Sequence, residues 1–330
     1  MMVDVVSMET RSAQCAYDVF NGDADGICAL HQLRLAHPVD AVLVTGVKRD
    51  VHLLQNFQSI QGDQITVLDI SLDANIDALK QHLANGAVVS YFDHHTAKKI
   101  FAHPGLHFHW DDAVDVCSSI LVNRHLNGKF AIWANVAAFG DNLIKTGYAI
   151  AAKAGLSIEQ SHQLLELGTL LNYNAYGENV DDLNIHPARL YQHLHQYEDP
   201  YEFIASSSYF SMLRQAYAED MAMLDDLRPT CEQNNAAIYV LPNHAWARRL
   251  SGLLANKLAL NTNDKSFAVL TQKTDGDYVV SIRSADPINK PASHFCSTFP
   301  SGGGRQSAAG INRLPVQELA FFSQRFFSYF

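Results

Sequence analysis

The chain has 330 residues, 48% of them hydrophobic and 18% charged, which excludes a disordered polymer and leaves room for two cores. Its formal net charge of −10 argues against a grip on long duplex nucleic acid, which needs a basic face for counterion release; a short phosphorylated ligand stays compatible. No apolar run reaches the ~20 residues of a membrane helix, and the opening "MMVDVVSMETRSAQ" lacks a signal peptide's basic start and apolar core, so a cytoplasmic protein without membrane contact is expected.

Along the first 125 or so residues strand-like and helix-like segments alternate. "CAYDVF" is a short apolar run that ends in a glycine turn, and "ICALHQLRLAH" has apolar residues at helical spacing. "AVLVTG" and "QITVLDIS" read as strands, "IDALKQHLANG" as a helix with a glycine stop, and "AVVSYFDHH" as a further strand. This order predicts a parallel sheet with helices on both faces. "HPGLHFHWDD" carries His103, His107 and His109 at a spacing that suits one strand face, for which a surface or supporting role is the plainer reading. From about residue 113 the pattern is helical, through "AVDVCSSILVNRHL", "KFAIWANVAAFGDNLI", "YAIAAKAG" and "SIEQSHQLLELGTLLNY". Strands return with "AAIYVLP", "SFAVLTQK" and "YVVSIRSA", and the chain closes on the helix "PVQELAFFSQRFFSYF", whose Phe321, Phe322, Phe326 and Phe327 suit a core or an interface seam. The expected organisation is a catalytic unit over 1–200, a helical linker over 201–229 and a smaller α/β unit over 230–330. The five cysteines are scattered without a C-x-x-C pair, as for reduced thiols.

Three of the strands end in acids: "YDVFNGDAD", "TVLDIS" and "SYFDHH". An open parallel sheet binds ligands at the carboxyl ends of its strands, so Asp23, Asp25, Asp69, Asp93 and His94 are expected to converge. Carboxylates crowded in this way repel each other unless cations hold them. Oxygen ligands mixed with imidazole suit manganese or magnesium better than zinc, and two such ions about 3.5–4 Å apart are a device for phosphoester hydrolysis. "NGDADGICALHQ" is similar to a calcium loop up to its glycine, but Gln32 stands where a bidentate Glu is needed. A dehalogenase-type phosphatase would need a second acid near "FGDNLIK", and no P-loop motif occurs. Lys48 and Arg49 follow the second strand and fit either a surface or a cleft-facing position.

At "YFDHH" the pattern becomes specific: the chain resembles the DHH/DHHA1 phosphoesterase superfamily. "NGDADG", "VLDIS", "YFDHH" and "FGDN" resemble its first four motifs, and "VSIRS" and "SGGGRQSAAGI" its second-domain signatures, all in order. The resemblance implies a catalytic domain and a smaller DHHA1 domain flanking an active-site cleft. It implies two manganese ions, or magnesium, with Asp23 on one, Asp25 on the other, Asp69 bridging, and His94 and Asp141 as further ligands. Many relatives carry a histidine where this chain has Val19, and others an Asp where it has Asn21, which as a neutral ligand would hold its ion more weakly. Asp93 would steady His94, and His95 would meet the phosphate or the leaving oxygen. Arg283, Ser284, Gly302, Gly303, Gly304 and Arg305 would bind substrate; glycines let backbone amides cradle an anion, and arginine offers a fork to phosphate. A glycine hairpin with a solvated arginine is the bland alternative for that stretch.

Among such enzymes the chain resembles the stand-alone nanoRNase type or the linear-dinucleotide phosphodiesterases. The implied activity is hydrolysis of short 5′-phosphorylated oligonucleotides, above all linear dinucleotides such as pGpG, to mononucleotides by a metal-activated water, which would connect it with cyclic-di-GMP signalling. A cyclic-dinucleotide phosphodiesterase, a single-strand exonuclease and a catalytically weak nucleotide-binding regulator are the alternatives, and a homodimer is compatible with each.

Overall fold

The structure, a computed structural model, describes residues 13–262 and 264–330. The strands are β1 (Ala16–Phe20), β2 (Ala41–Val44), β3 (Gln64–Leu68), β4 (Val88–Asp93), β5 (Leu106–Trp110), β6 (Cys231–Gln233), β7 (Ala236–Leu241), β8 (Ser266–Gln272), β9 (Tyr278–Arg283), β10 (Gly302–Gly304) and β11 (Ala308–Leu314). The helices of the first half are α1 (Ala24–Ala36), α2 (Leu72–Ala84), α3 (Ser118–His125), α4 (Ala131–Gly140), α5 (Ile144–Lys153), α6 (Ile158–Asn174), α7 (Pro187–Leu194) and α8 (Pro200–Ser206). They are followed by α9 (Ser208–Ala222), α10 (Ala245–Asn261), α11 (Ala292–Cys296) and α12 (Leu319–Tyr329). Among the described residues no helix is long and apolar enough to cross a membrane.

The chain divides into two compact units. One comprises the chain up to Ala175 together with Asn184–Leu213; the other comprises Tyr176–Leu183 and Arg214–Phe330. The division therefore falls inside α9, and the short polar segment Tyr176–Leu183 is held in the second unit, where Arg248 Nε donates to Asp182 Oδ2 at 2.7 Å.

In the first unit five strands run parallel in the order β2-β1-β3-β4-β5. Side chains alternate across them. Tyr17, Val19, Ile65, Val67, Val89 and Tyr91 face a core shared with Leu72, Ile76, Leu79 and Leu83 of α2. The other face carries Asp18 and Thr66, both reached by Arg34 of α1, whose Nε lies 2.9 Å from Asp18 Oδ2. Buried from Ala24 to Arg34, α1 is covered by α3 and α4, so the expected parallel sheet with helices on both faces is found. The order reverses at β1, whose neighbours are β2 and β3. That switch point is where a crevice opens beyond the strand ends.

The second unit is a six-stranded mixed sheet, β10-β11-β9-β8-β7-β6, parallel only between β7 and β8. Phe322 and Phe326 of α12 are fully buried in its core with Phe295, Val280 and Ile282, while Phe321 is 54% exposed. The terminal aromatics thus serve chiefly as core. "SGGGRQSAAG" folds as the β10–β11 hairpin, with Gly303 opposite Gly310.

Candidate metal centre

The turn after β1 explains its own acids. Asp23 is the N-cap of α1: its Oδ1 accepts the amides of Asp25 at 2.9 Å and Gly26 at 3.1 Å, which satisfies donors that a helix start leaves free and places negative charge at the positive dipole end. Gly26 is required there, since a Cβ would meet Asn21 O at 2.1 Å. Asp25, fully buried, receives the amides of Ser118 and Ser119, each at 2.7 Å, from the start of α3. Asp69 follows β3 in the left-handed region, φ +58°, and its Oδ1 lies 3.4 Å from Ser118 Oγ. Asp141 caps the C-terminus of α4. The preceding Gly140 lets α4 come close to α1, because a Cβ there would meet Ala24 Cβ at 2.3 Å.

His94 joins these acids. Its Nε2 is 3.3 Å from Asp69 Oδ1, 3.7 Å from Asp141 Oδ2 and 3.9 Å from Asp25 Oδ2. Three carboxylate oxygens thus gather around one imidazole nitrogen. Among the described residues, Asp25, His94 and Asp141 form one group whose ligand atoms all lie within 4.8 Å of one another, close enough to hold an ion, and Asp69, His94 and His95 form another. The donor set, carboxylates with imidazole, fits a hard divalent ion.

The electrostatics report the same crowding. Burial, then the charges of Asp23 and Asp25, push Asp69 well above the usual carboxylate range, with His94 offsetting part of this. Burial raises Asp141 too, against the pull of Lys48. Burial opposes charge on His94, yet its hydrogen bond to Asp69 and the charges of Asp25, Asp69 and Asp141 raise its pKa to about 10. A proton on His94, together with the Lys48 ammonium, takes up part of the charge.

Two arrangements differ from the sequence expectation. Asp93 meets His95, not His94: its Oδ1 is 2.7 Å from His95 Nδ1 and accepts the His95 amide at 3.1 Å, and its Oδ2 accepts from Leu72 N at 3.3 Å. The side chain of Asn21 is engaged by the protein itself, Oδ1 accepting from Asp23 N at 3.3 Å within its own turn and Nδ2 donating to Lys48 O, beyond β2, at 3.3 Å. The sequence reading left Lys48 open and missed Ser118, Ser119 and Asn172. Lys48 lies inside the acid cluster, with Nζ 2.5 Å from Asp23 Oδ2, 3.1 Å from Asn172 Oδ1 and 3.4 Å from Asp141 Oδ1. Its one sequence signal is its place just after a strand, the same rule that located the acids.

The remaining candidates belong to the second unit. Arg283, at the end of β9, donates to Asn256 Oδ1 and to Ile282 O, each at 2.9 Å, and lies opposite Ala308. Ser284 Oγ donates to Lys290 O at 2.7 Å. Arg305 is exposed just after the glycine strand Gly302–Gly304. With Gly304, Gln306, Ser307, Ser293 and Pro287 it lines an open depression of about 560 Å³.

Neither a protein-family model nor a curated protein sequence matches the chain. Solved structures do match its fold. An exonuclease RecJ bound to manganese superposes with a TM-score of 0.61 at 17% identity, over 95% of this chain and 89% of that one. A pGpG-specific phosphodiesterase from a Vibrio, PggH, gives 0.55 at 14% identity, over 94% and 98%. CDC45 from Entamoeba histolytica gives 0.52 at 9% identity, over 96% and 95%. The chain therefore has a two-domain α/β fold of the DHH/DHHA1 type.

Proposed function

We propose that the chain is a divalent-metal-dependent phosphodiesterase acting on short 5′-phosphorylated oligonucleotides, with linear dinucleotides such as pGpG as the preferred class and mononucleotides as products. The observation that carries this reading is the convergence of Asp25, Asp69 and Asp141 on His94 Nε2, within 3.9 Å, at the carboxyl ends of a parallel sheet. The PggH and RecJ likeness in fold supports the substrate class.

Asp25, Asp69, His94 and Asp141 would hold the ion, with manganese the best match to mixed oxygen and imidazole donors. Such an ion supplies charge neutralisation at phosphorus and an acidified water. The protein's own part is positional. The amides of α3 fix Asp25, and the left-handed turn fixes Asp69. Asp93, an acceptor, keeps the His95 proton on Nδ1, so Nε2 of this 43%-exposed side chain is the atom that exchanges a proton with the leaving ribose oxygen. Arg283, Ser284, Arg305 and the glycine strand Gly302–Gly304 are assigned to the substrate phosphate. A single-strand exonuclease is the second reading, favoured by the RecJ likeness alone.

The test is a panel of linear and cyclic oligonucleotides, from two to ten units, incubated with manganese and resolved by product. Fastest conversion of the linear dinucleotide supports the reading. Stepwise shortening of the longest strands at equal efficiency would transfer it to the exonuclease, and no turnover with any divalent ion would remove the enzyme.

A further inference from the structure

We propose that Lys48 takes the place of a metal ion at the Asp23 end of the centre, so that this chain binds one divalent ion where a two-ion centre would be expected. The inference rests on the metal-dependent reading above and concerns its stoichiometry.

Every group at that end is already committed. Asp23 Oδ1 accepts the two amides that start α1, and Asp23 Oδ2 accepts Lys48 Nζ at 2.5 Å. Asn21, the residue that would complete an ion site there, spends its only side-chain oxygen on Asp23 N and its amide group on Lys48 O. An ammonium carries three donors, and Lys48 aims at three side-chain oxygens, those of Asp23, Asn172 and Asp141. Its side chain is 29% exposed against 2% for that of Asp23, so the stem reaches inward and the charge is delivered to a buried carboxylate. An ion on Asp23 Oδ2 would have to displace this ammonium. Both groups with metal-binding spacing among the described residues exclude Asp23: Asp25 with His94 and Asp141, and Asp69 with His94 and His95, have His94 in common. One ion at His94 and one ammonium at Asp23 leave no carboxylate of the cluster without a cation.

The experiment is manganese stoichiometry on the full chain. Metal-stripped protein is titrated with Mn²⁺ by calorimetry and equilibrium dialysis with elemental analysis, and the saturated sample is examined by electron paramagnetic resonance. The expected result is one Mn²⁺ per chain with the six-line spectrum of an isolated ion. Lys48→Met frees Asp23 Oδ2 and is expected to admit a second, weaker ion with an exchange-coupled spectrum, whereas Lys48→Arg is expected to keep one. Two ions and a coupled spectrum in the unaltered chain would overturn the inference while leaving the metal-dependent reading intact. A Lys48→Met chain that still takes a single ion would show that Lys48 is not what excludes the second. No binding at all would overturn both.

Discussion

Asp93 Oδ1 lies 2.7 Å from His95 Nδ1, which makes His95, the more exposed histidine of the pair, the one with a fixed tautomer. Asp93→Asn puts an amide nitrogen in place of one oxygen, so the single oxygen left can no longer serve both Leu72 N and the amide and ring of His95. General acid catalysis contributes about 10²–10⁴-fold, so kcat is expected to fall by at least ~10-fold with KM and manganese content unchanged. Steady-state kinetics check this; a variant that loses its metal would put Asp93 in the wrong role.

Asp69→Ala removes the carboxylate nearest His94. Loss of one transition-state stabiliser lowers the rate ~10²–10³-fold, and here a residue proposed to hold the ion is lost as well. Turnover should fall by at least that much, and manganese affinity should fall with it. Activity within tenfold of the unaltered chain, or turnover in chelator, would refute the assignment.

In the metal-free protein His94 gives a pH dependence with a definite sign. Its folded pKa of about 10 exceeds the ordinary 6.5, so the folded state binds the extra proton and the stabilisation is complete below about pH 6.5. It declines as pH rises through 10. Denaturant unfolding in chelator should therefore show stability falling between those limits, and His94→Gln should flatten the curve. A curve that rises over the same window would contradict the charge placement.

Much of this centre is legible in the amino-acid order because parallel strands put their ends together. Asp23, Asp25, Asp69 and Asp93 each follow a near-continuous apolar run, and the sheet delivers them to one edge. Asp141 has no such rule: it terminates α4, and only its likeness to a known motif singled it out. Lys48 obeys the strand-end rule yet was ambiguous, because a lysine after a strand is as much at home in water. The partner of Asp93 was unreadable, since two adjacent histidines diverge by side-chain direction and tertiary packing decides which one returns to the acid. The hairpin of "SGGGRQSAAG" was foreseen as the bland alternative, and its exposed Arg305 suits a solvated arginine as well as one waiting for an anion.

Arg305→Ala distinguishes those two. A charge-assisted hydrogen bond is worth ~1.5–3 kcal/mol, which is about tenfold to a hundredfold in affinity. KM for a 5′-phosphorylated dinucleotide should rise by that factor while manganese content and the thermal midpoint stay unchanged, because the side chain is exposed and distant in sequence from every candidate ligand. Unaltered substrate binding would leave it a surface residue.

Substrate length is the sharpest consequence of the charge distribution. A groove that follows many phosphates needs a line of basic side chains, yet the chain has 24 Lys and Arg against 34 Asp and Glu. Several of those cations are spent internally: Arg34 on Asp18, Arg248 on Asp182, Arg249 on Asp220 and Arg313 on Asp277. The groups assigned to phosphate, Arg283, Arg305 and the glycine strand, suffice for one terminal phosphate and little more. Each further nucleotide adds a negative charge near a net-negative protein without adding a contact. Catalytic efficiency on a 5′-phosphorylated dinucleotide should therefore exceed that on a ten-nucleotide strand of the same base. The salt response should be shallow as well: single strands lose affinity with a slope of roughly −0.7 per neutralised phosphate, so one or two contacts give a slope near about −1. Kinetics at low and physiological salt measure both. Equal efficiencies, or affinity falling by several decades with salt, would mean that many phosphates are held at once, which these few cations cannot do.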